Sequence, residues 1–256
     1  MDRPEAPQGS QSLMRALDIV DVMAGGITDL AGLSSNLGLT RSTTHRLATA
    51  LVARGYLRFQ PGEGYGLGSK LLELGWQALH QNPLTRLARR HLERLAAATE
   101  DTVHLGVLDG QWALYLDKIP GMRRVEISSR VGERHPVWST GLGKALLLDG
   151  NEAIWRSFFA HGTAQGDGQT RDSAQWLDRM RSYALQGYAF DLEENEPEIR
   201  CVAAPVRDAG GKIVAAISLS SLSRYMTEPR MQELAHVVGE AARNISIDLG
   251  WRPAKA

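Results

Sequence analysis

The stretch from Leu30 to Tyr65 restricts what this chain can become more than any other. Leu30, Leu33 and Leu37 fall three and four apart, which is one face of a short helix. Gly38 ends that helix, since glycine accepts the left-handed geometry that closes one. Thr40 then stands where an N-cap is needed, its hydroxyl able to accept from a backbone N–H of the next first turn. In the second helix Thr44, Leu47, Ala48 and Leu51 form a buried stripe, and Ser42, His45, Arg46 and Thr49 an opposite polar one. Two helices joined by so short a turn, the second polar and short-chained at its start, make a helix-turn-helix. Ser42, Thr43 and Arg46 occupy the leading turns, where base edges and phosphates are reached.

Local charge supports a DNA-reading unit where global charge does not. The chain carries 29 basic and 29 acidic residues, so it is no general polycation. Between Leu39 and Gly62, however, stand Arg41, Arg46, Arg54 and Arg58 with no acid among them. A concentrated basic face on a neutral protein suits phosphate without adhesion to every anion. The competing reading is a protein-interaction module whose arginines are merely solvated.

Before this unit, Ser12 to Ala24 reads as a first helix, capped by Ser12, with Leu13, Ala16, Leu17, Val20 and Ala24 on its apolar side. After it, Gly55 to Phe59 alternates like a strand, Pro61 to Gly64 turns, and Tyr65 to Leu67 returns. This hairpin is a wing, which makes Arg58 and Tyr65 candidate DNA-backbone contacts; Tyr65 is equally suited to packing. The expected DNA contacts are thus Arg41, Ser42, Thr43, His45, Arg46, Thr49 and Arg58. A mostly apolar helix starts at Ser69, and Asn82-Pro83 interrupts it, because proline disfavours helix in the residue before it. That places a domain boundary between 82 and 83, giving domains 1–82 and 83–256.

The second domain opens with a helix from Leu84 to Thr99 that turns Arg86, Arg89, Arg90 and Arg94 outward as a solvated face. Strands follow at Thr102–Leu108 and Trp112–Asp117 around an Asp109-Gly110 turn, with a third at Val125–Val131. Ser139 to Leu148 is a loop entering a helix. Helices at Glu152–Phe159 and Ser173–Gln186 flank a glycine-rich surface loop, Gly162 to Gly168. A strand at Tyr188–Leu192, an acidic loop, strands at Arg200–Arg207 and Ile213–Ser220, and a last helix from Pro229 to Leu249 complete the chain. Strands in hairpins with helices grouped between them define an α+β fold with an antiparallel sheet, not a doubly wound enzyme fold.

Enzyme classes find little support. Gly141-Leu142-Gly143-Lys144 would need glycine at 138 and Ser or Thr at 145 to be a phosphate loop, and Trp138 and Ala145 stand there. No Gly-x-Ser-x-Gly elbow occurs. Seven histidines lie scattered without finger spacing, so neither metal nor other cofactor is expected. One cysteine, Cys201, fits a reducing cytoplasm. The polar first nine residues suggest no signal peptide, and no apolar run reaches the length of a membrane span.

Four blocks together carry a family resemblance: Ser12 to Leu17, Arg41 to Leu47, Gly141 to Leu147, and Arg200 to Val206. Over roughly Ser12 to Gly250 the chain resembles IclR-family transcriptional regulators. The resemblance implies an N-terminal winged helix-turn-helix, a linker helix, and a C-terminal GAF-like domain for effector binding and oligomerisation. It also implies operator DNA and a small organic acid as partners, and a dimer or dimer of dimers. Carried over by position, the ligand pocket would hold Gly141, Leu142, Asp191, Cys201, Ser218 and Ser220, with Ile127 and Arg130 as weaker additions on a facing strand. The chemistry agrees: backbone N–H groups at 141 and 142 suit an anion, Ser218 and Ser220 share a strand face, and Asp191 suits ligand hydroxyls. That pattern describes a hydroxy acid, and Glu193-Glu194-Asn195-Glu196 resembles the sugar-acid branch of the family. Aromatic and short keto acids compete. The structural alternatives are Cys201 as a small buried hydrophobe, the serines bonding only backbone, and Asp191 capping a turn.

Overall fold

In the first part of the chain, apolar side chains on three helices converge on one small core. The computed structural model describes residues 10–123, 127–164 and 172–252. Helices α1 (Gln11–Ala24), α2 (Leu30–Leu37) and α3 (Arg41–Ala53) precede a two-stranded wing, β1 (Leu57–Gln60) and β2 (Gly64–Leu67), and helix α4 (Ser69–Gln81). Asp29 caps α2 by accepting from Gly32 N, and Thr40 caps α3 by accepting from Thr43 N. Gly38, left-handed at φ 60°, turns the chain between them.

Ile19, Met23, Leu33, Leu47, Ala48, Leu57 and Tyr65 form this core. It corrects the expected face of α1. Leu13 and Leu17 are exposed and Ala24 faces solvent, while Ile19 and Met23 are buried. Both stripes have helical spacing; what decides is that Ile19 meets the cluster around Leu33. The helix also begins at Gln11, with Ser10 rather than Ser12 at the cap position. In the wing, Leu57 pairs with Leu67 and Phe59 with Tyr65. Tyr65 is buried, so of its two readings packing is the one the structure places. Helix α4 forms as expected, yet Leu72 and Trp76 on it are exposed.

The chain divides into two units, Met1–Gln81 and Asn82–Ala256. The second opens with α5 (Pro83–Thr99), where Asn82 caps by accepting from Leu84 N and Pro83 fills a first-turn position that needs no N–H. Strands β3 (Thr102–Asp109), β4 (Trp112–Ile119), β5 (Arg134–Pro136), β6 (Ala189–Leu192), β7 (Ile199–Arg207) and β8 (Ile213–Leu222) form one antiparallel sheet in the order β5-β4-β3-β8-β7-β6. Helices α6 (Gly141–Leu146), α7 (Glu152–Ala164), α8 (Ser173–Gln186) and α9 (Glu228–Asp248) complete the unit. Helices α5 and α9 pack on the face that carries Val103, Leu219 and Val202; α6 packs on the face that carries Cys201.

Three expectations change here. The stretch 127–131 is not a strand: its backbone is tied down by side chains, as described below, and residues 124–126 lie outside the described residues. A short strand at Arg134–Pro136 pairs with β4 instead. Gly162 lies within α7 rather than in a loop, and a Cβ there would sit 1.8 Å from the Trp138 ring, so close packing on Trp138 accounts for this glycine; the rest of that expected loop, from 165, lies outside the described residues. Finally, the arginines of α5 are exposed but not merely solvated. Arg89 bridges Glu93 and Asp117, both at 2.8 Å, and Arg90 reaches Asp248 at 2.6 Å.

Candidate DNA-reading face and effector pocket

Helix α3 buries Thr44, Leu47 and Ala48 and leaves Arg41, Ser42, His45, Arg46 and Thr49 exposed, so the expected two-faced pattern is met. Thr43 is half-buried, and its hydroxyl accepts from Thr40 Oγ1 at 2.9 Å, which ties it into the cap. Among the described residues, Arg41, His45 and Arg46 have no ion-pair or hydrogen-bond partner on their side chains. Arg58 is exposed on the wing and donates to Gln60 Oε1. Unpaired cations held on a rigid helix, without a nearby acid, keep their full field for a polyanion.

The second unit treats polar groups differently, burying them on the face of the sheet beneath α6. Asp191 pairs with Cys201, Cys201 with Ser220, and Ser220 with Thr102, in one row across four strands. The next row joins Ala203, Ser218, His104 and Lys118. The residues expected in the pocket therefore do converge, with one exception and one change. Arg130 is exposed, and its backbone N–H donates to Glu133 at 2.8 Å; Ile127 is buried. The change concerns the α6 amides. Helix α6 begins against β7, and the Gly141 and Leu142 amides act with Lys144 to hold the Cys201 pKa down, weakly against its burial. A Cβ on Gly141 would stand 2.5 Å from that sulphur, so only glycine lets α6 approach β7 this closely. Helix α6 is a six-residue segment whose cap, Thr140, takes the Gly143 N–H at 3.0 Å.

Burial sets the electrostatics. It pushes the Cys201 thiol up to about 12, against smaller lowering by Lys144 and the two amides, so this is an unreactive thiol. Asp191 is likewise pushed up by burial, to about 6, with Lys144 and backbone donors opposing. Its Oδ1 accepts from Glu194 N at 2.9 Å, so the turn-capping reading is also realised. The acidic loop is largely engaged internally. Glu194 binds Lys144 and Arg179, Glu193 binds Arg200 at 2.8 Å, and Asn195 accepts from Ser139 at 3.1 Å.

Several buried polar groups at this face escape a reading by sequence. Lys144 is almost fully buried and donates to Phe190 O at 2.9 Å; its only outward signal is a lysine set inside an apolar run. His104, buried beside Tyr115 with ring centroids 4.9 Å apart, bonds Ser129 Oγ through Nε2 at 2.7 Å. Burial, then Lys118 and His135, lower its pKa to about 3, which keeps the ring neutral. Lys118 Nζ donates to Ile127 O at 2.6 Å and Ser129 O at 2.7 Å, which is what holds stretch 127–131 out of the sheet. Within the described residues no cluster of His, Cys, Asp and Glu could hold a metal, and no helix is long and apolar enough to cross a membrane.

A winged helix-turn-helix with a free basic face, followed by an antiparallel α+β unit with a polar interior, defines a DNA-binding transcriptional regulator with a sensor domain rather than an enzyme. Comparison with known proteins sharpens this. Residues 12–61 match the IclR helix-turn-helix domain and residues 76–247 the bacterial transcriptional regulator IclR C-terminal domain. The HTH-type transcriptional regulator KdgR of Escherichia coli (strain K12) is 33% identical over 261 residues, covering 98% of this chain and 97% of that one. The DNA-binding transcriptional repressor YiaJ of the same organism is 29% identical over 255 residues, covering 96% and 90%. The crystal structure of Thermotoga maritima IclR superposes with a TM-score of 0.76 at 27% identity, covering 94% of this chain and 99% of that one. The chain belongs to the IclR family of transcriptional regulators.

Proposed function

We propose that this regulator represses a catabolic operon and releases it when a small hydroxylated acid, such as a sugar acid, enters the second unit. The observation that carries the DNA half is the α3 face, where Arg41, His45 and Arg46 stand exposed without an internal partner. In this reading Arg41, Ser42, His45, Arg46 and Thr49 address bases and phosphates of the major groove, Thr43 sets the start of the helix, and Arg58 holds the backbone from the wing. Domain 1–82 reads and domain 83–256 senses. Repression is supported by the printed name of the relative YiaJ.

The chain acts as a homo-oligomer in the cytoplasm, with two α3 helices in successive grooves about 34 Å apart. Exposed Leu13, Leu17, Leu72 and Trp76 in the first unit supply apolar surface for a second copy. Asp191, Cys201, Ser218 and Ser220, with Gly141 and Leu142 above them and Ile127 at the edge, line the effector site; Arg130, being exposed, is the weakest member. The effector acts by linkage: it binds one arrangement of the oligomer better than another and so shifts operator affinity. An aromatic or keto acid, or activation in place of repression, is the alternative. The test is a mobility shift with DNA from upstream of the protein's own gene. Binding should be sequence-specific and fall steeply with salt; salt-insensitive or absent binding would contradict it.

A further inference from the structure

The proposed effector site has a polar end beyond the residues that the family resemblance supplies. Strand pairing sets Lys118 opposite His104 and His104 opposite Ser218, so the three share one face of the sheet. A register shift between Leu105 and Gly106 puts Tyr115 on that face as well, against the His104 ring. Two atoms in this row are orphans. His104 Nδ1 and Ser218 Oγ are buried with no hydrogen-bond partner, and each residue is 1% exposed. A buried polar group left unsatisfied costs about 1–3 kcal/mol, and here two of them stand on opposed residues. Such a pair is understandable where a ligand completes it.

The geometry also fixes what the ligand must offer. His104 cannot swing away without breaking its 2.7 Å bond to Ser129 Oγ. Ser129 and Ile127 are in turn held by their carbonyls on Lys118 Nζ. We assign the Ser129 hydroxyl as the donor to Nε2; the neutral ring then carries its proton on Nδ1, so Nδ1–H and the Ser218 hydroxyl become two donors side by side. Behind them the Lys118 ammonium bonds only carbonyls and has no carboxylate partner among the described residues. Two donors backed by an unneutralised cation suit an anion.

We propose that His104 Nδ1 and Ser218 Oγ together bind the carboxylate of the effector, and that His104 is the residue that selects acids over their neutral counterparts. This rests on the effector reading above and gives the ligand a direction. Its anionic end lies at His104 and its hydroxylated end toward Asp191, which β6 places three strand steps from β3, about 14 Å across the sheet. A chain of several carbons reaches across that span; a two-carbon acid does not.

The test uses the full-length protein and calorimetric titration with gluconate, galactonate, 4-hydroxybenzoate and pyruvate, each paired with its amide. At least one acid should bind, its amide at least tenfold more weakly. His104→Phe and Ser218→Ala should each lose at least tenfold in affinity for that acid, and His104→Gln less. Circular dichroism reports whether each variant folds; should His104→Phe not fold, His104→Gln and Ser218→Ala decide. An acid that binds wild type and variants alike overturns the proposal and leaves the effector reading standing, as does an amide that binds as tightly as its acid. If no acid binds at all, the effector reading fails and the proposal falls with it.

Discussion

The outward face of α3 and the sheet face beneath α6 handle polar groups in opposite ways. On α3, arginines and a histidine stand in water without internal partners, so holding them there costs the fold little. Between α6 and the sheet, Lys144, Asp191, His104 and Ser218 are all taken out of water. Some of these are satisfied, as Lys144 is by Phe190 and Glu194; others, like Ser218 Oγ, are not. The first region can be altered with loss of DNA binding and little loss of stability. The second couples stability and ligand chemistry through the same side chains. A regulator needs both: a head that stays rigid while it waits for phosphate, and an interior whose energy a small molecule can change.

The sharpest way to break this contrast is to remove a buried partner. Lys144→Ala would take from Glu194 one of its two cations, leaving Arg179, and remove the donor to Phe190 O, and should cost about 3 kcal/mol in urea unfolding; a loss below about 1 kcal/mol would put Lys144 in the same class as the α3 cations. Next in size, Arg46→Ala should weaken specific operator binding by about 1–3 kcal/mol in fluorescence anisotropy while leaving the melting temperature unchanged. Arg58→Ala should act more gently, lowering the salt slope by about one on every sequence. A destabilised Arg46→Ala protein would mean that the α3 face is part of the fold's own support.

Gly141→Ala probes the contact between α6 and β7. The added Cβ meets the Cys201 sulphur, and overpacking of this kind costs about 1–3 kcal/mol. Cys201→Ala should return part of that loss in the double variant, and strict additivity would place the clash elsewhere. The remaining effect is a pH dependence. Burial raises the Asp191 pKa in the folded protein to about 6 from 3.8, so the folded state holds this proton more tightly than the unfolded chain does. Its contribution to stability is therefore present below the ordinary carboxylate range and is lost as pH rises from about 4 to about 6. Asp191→Asn should flatten that part of the profile of chemical unfolding against pH; an unchanged slope would show that Asp191 ionises freely.

The two regions also differ in how far a sequence discloses them. The DNA-reading unit is local: cap, glycine turn and the spacing of Thr44, Leu47 and Ala48 all lie within a few turns of chain, and α3 follows them. The exposed Leu13 and Leu17 show the limit, since two stripes with helical spacing compete on α1 and only the neighbouring helices choose between them. The sensor interior is non-local. His104 is one of seven scattered histidines until β3 pairs with β8 and brings it opposite Ser218. Alternating residues at 125–131 suggest a strand, yet Lys118 holds the backbone of 127 and 129 away from the sheet. Resemblance named Asp191, Cys201, Ser218 and Ser220, which strand pairing sets on one face of the sheet, whereas the burial of Lys144, His104 and Ser129 there becomes visible only in the fold.

The account stands or falls on communication between the two regions. The most direct measurement is operator affinity, by fluorescence anisotropy, with and without a saturating acid that the protein is shown to bind. The affinity should change by about 5–150-fold, and Ser218→Ala should need at least tenfold more acid for the same change, whereas Arg46→Ala should still bind the acid. An acid that binds tightly yet leaves operator affinity untouched would contradict it.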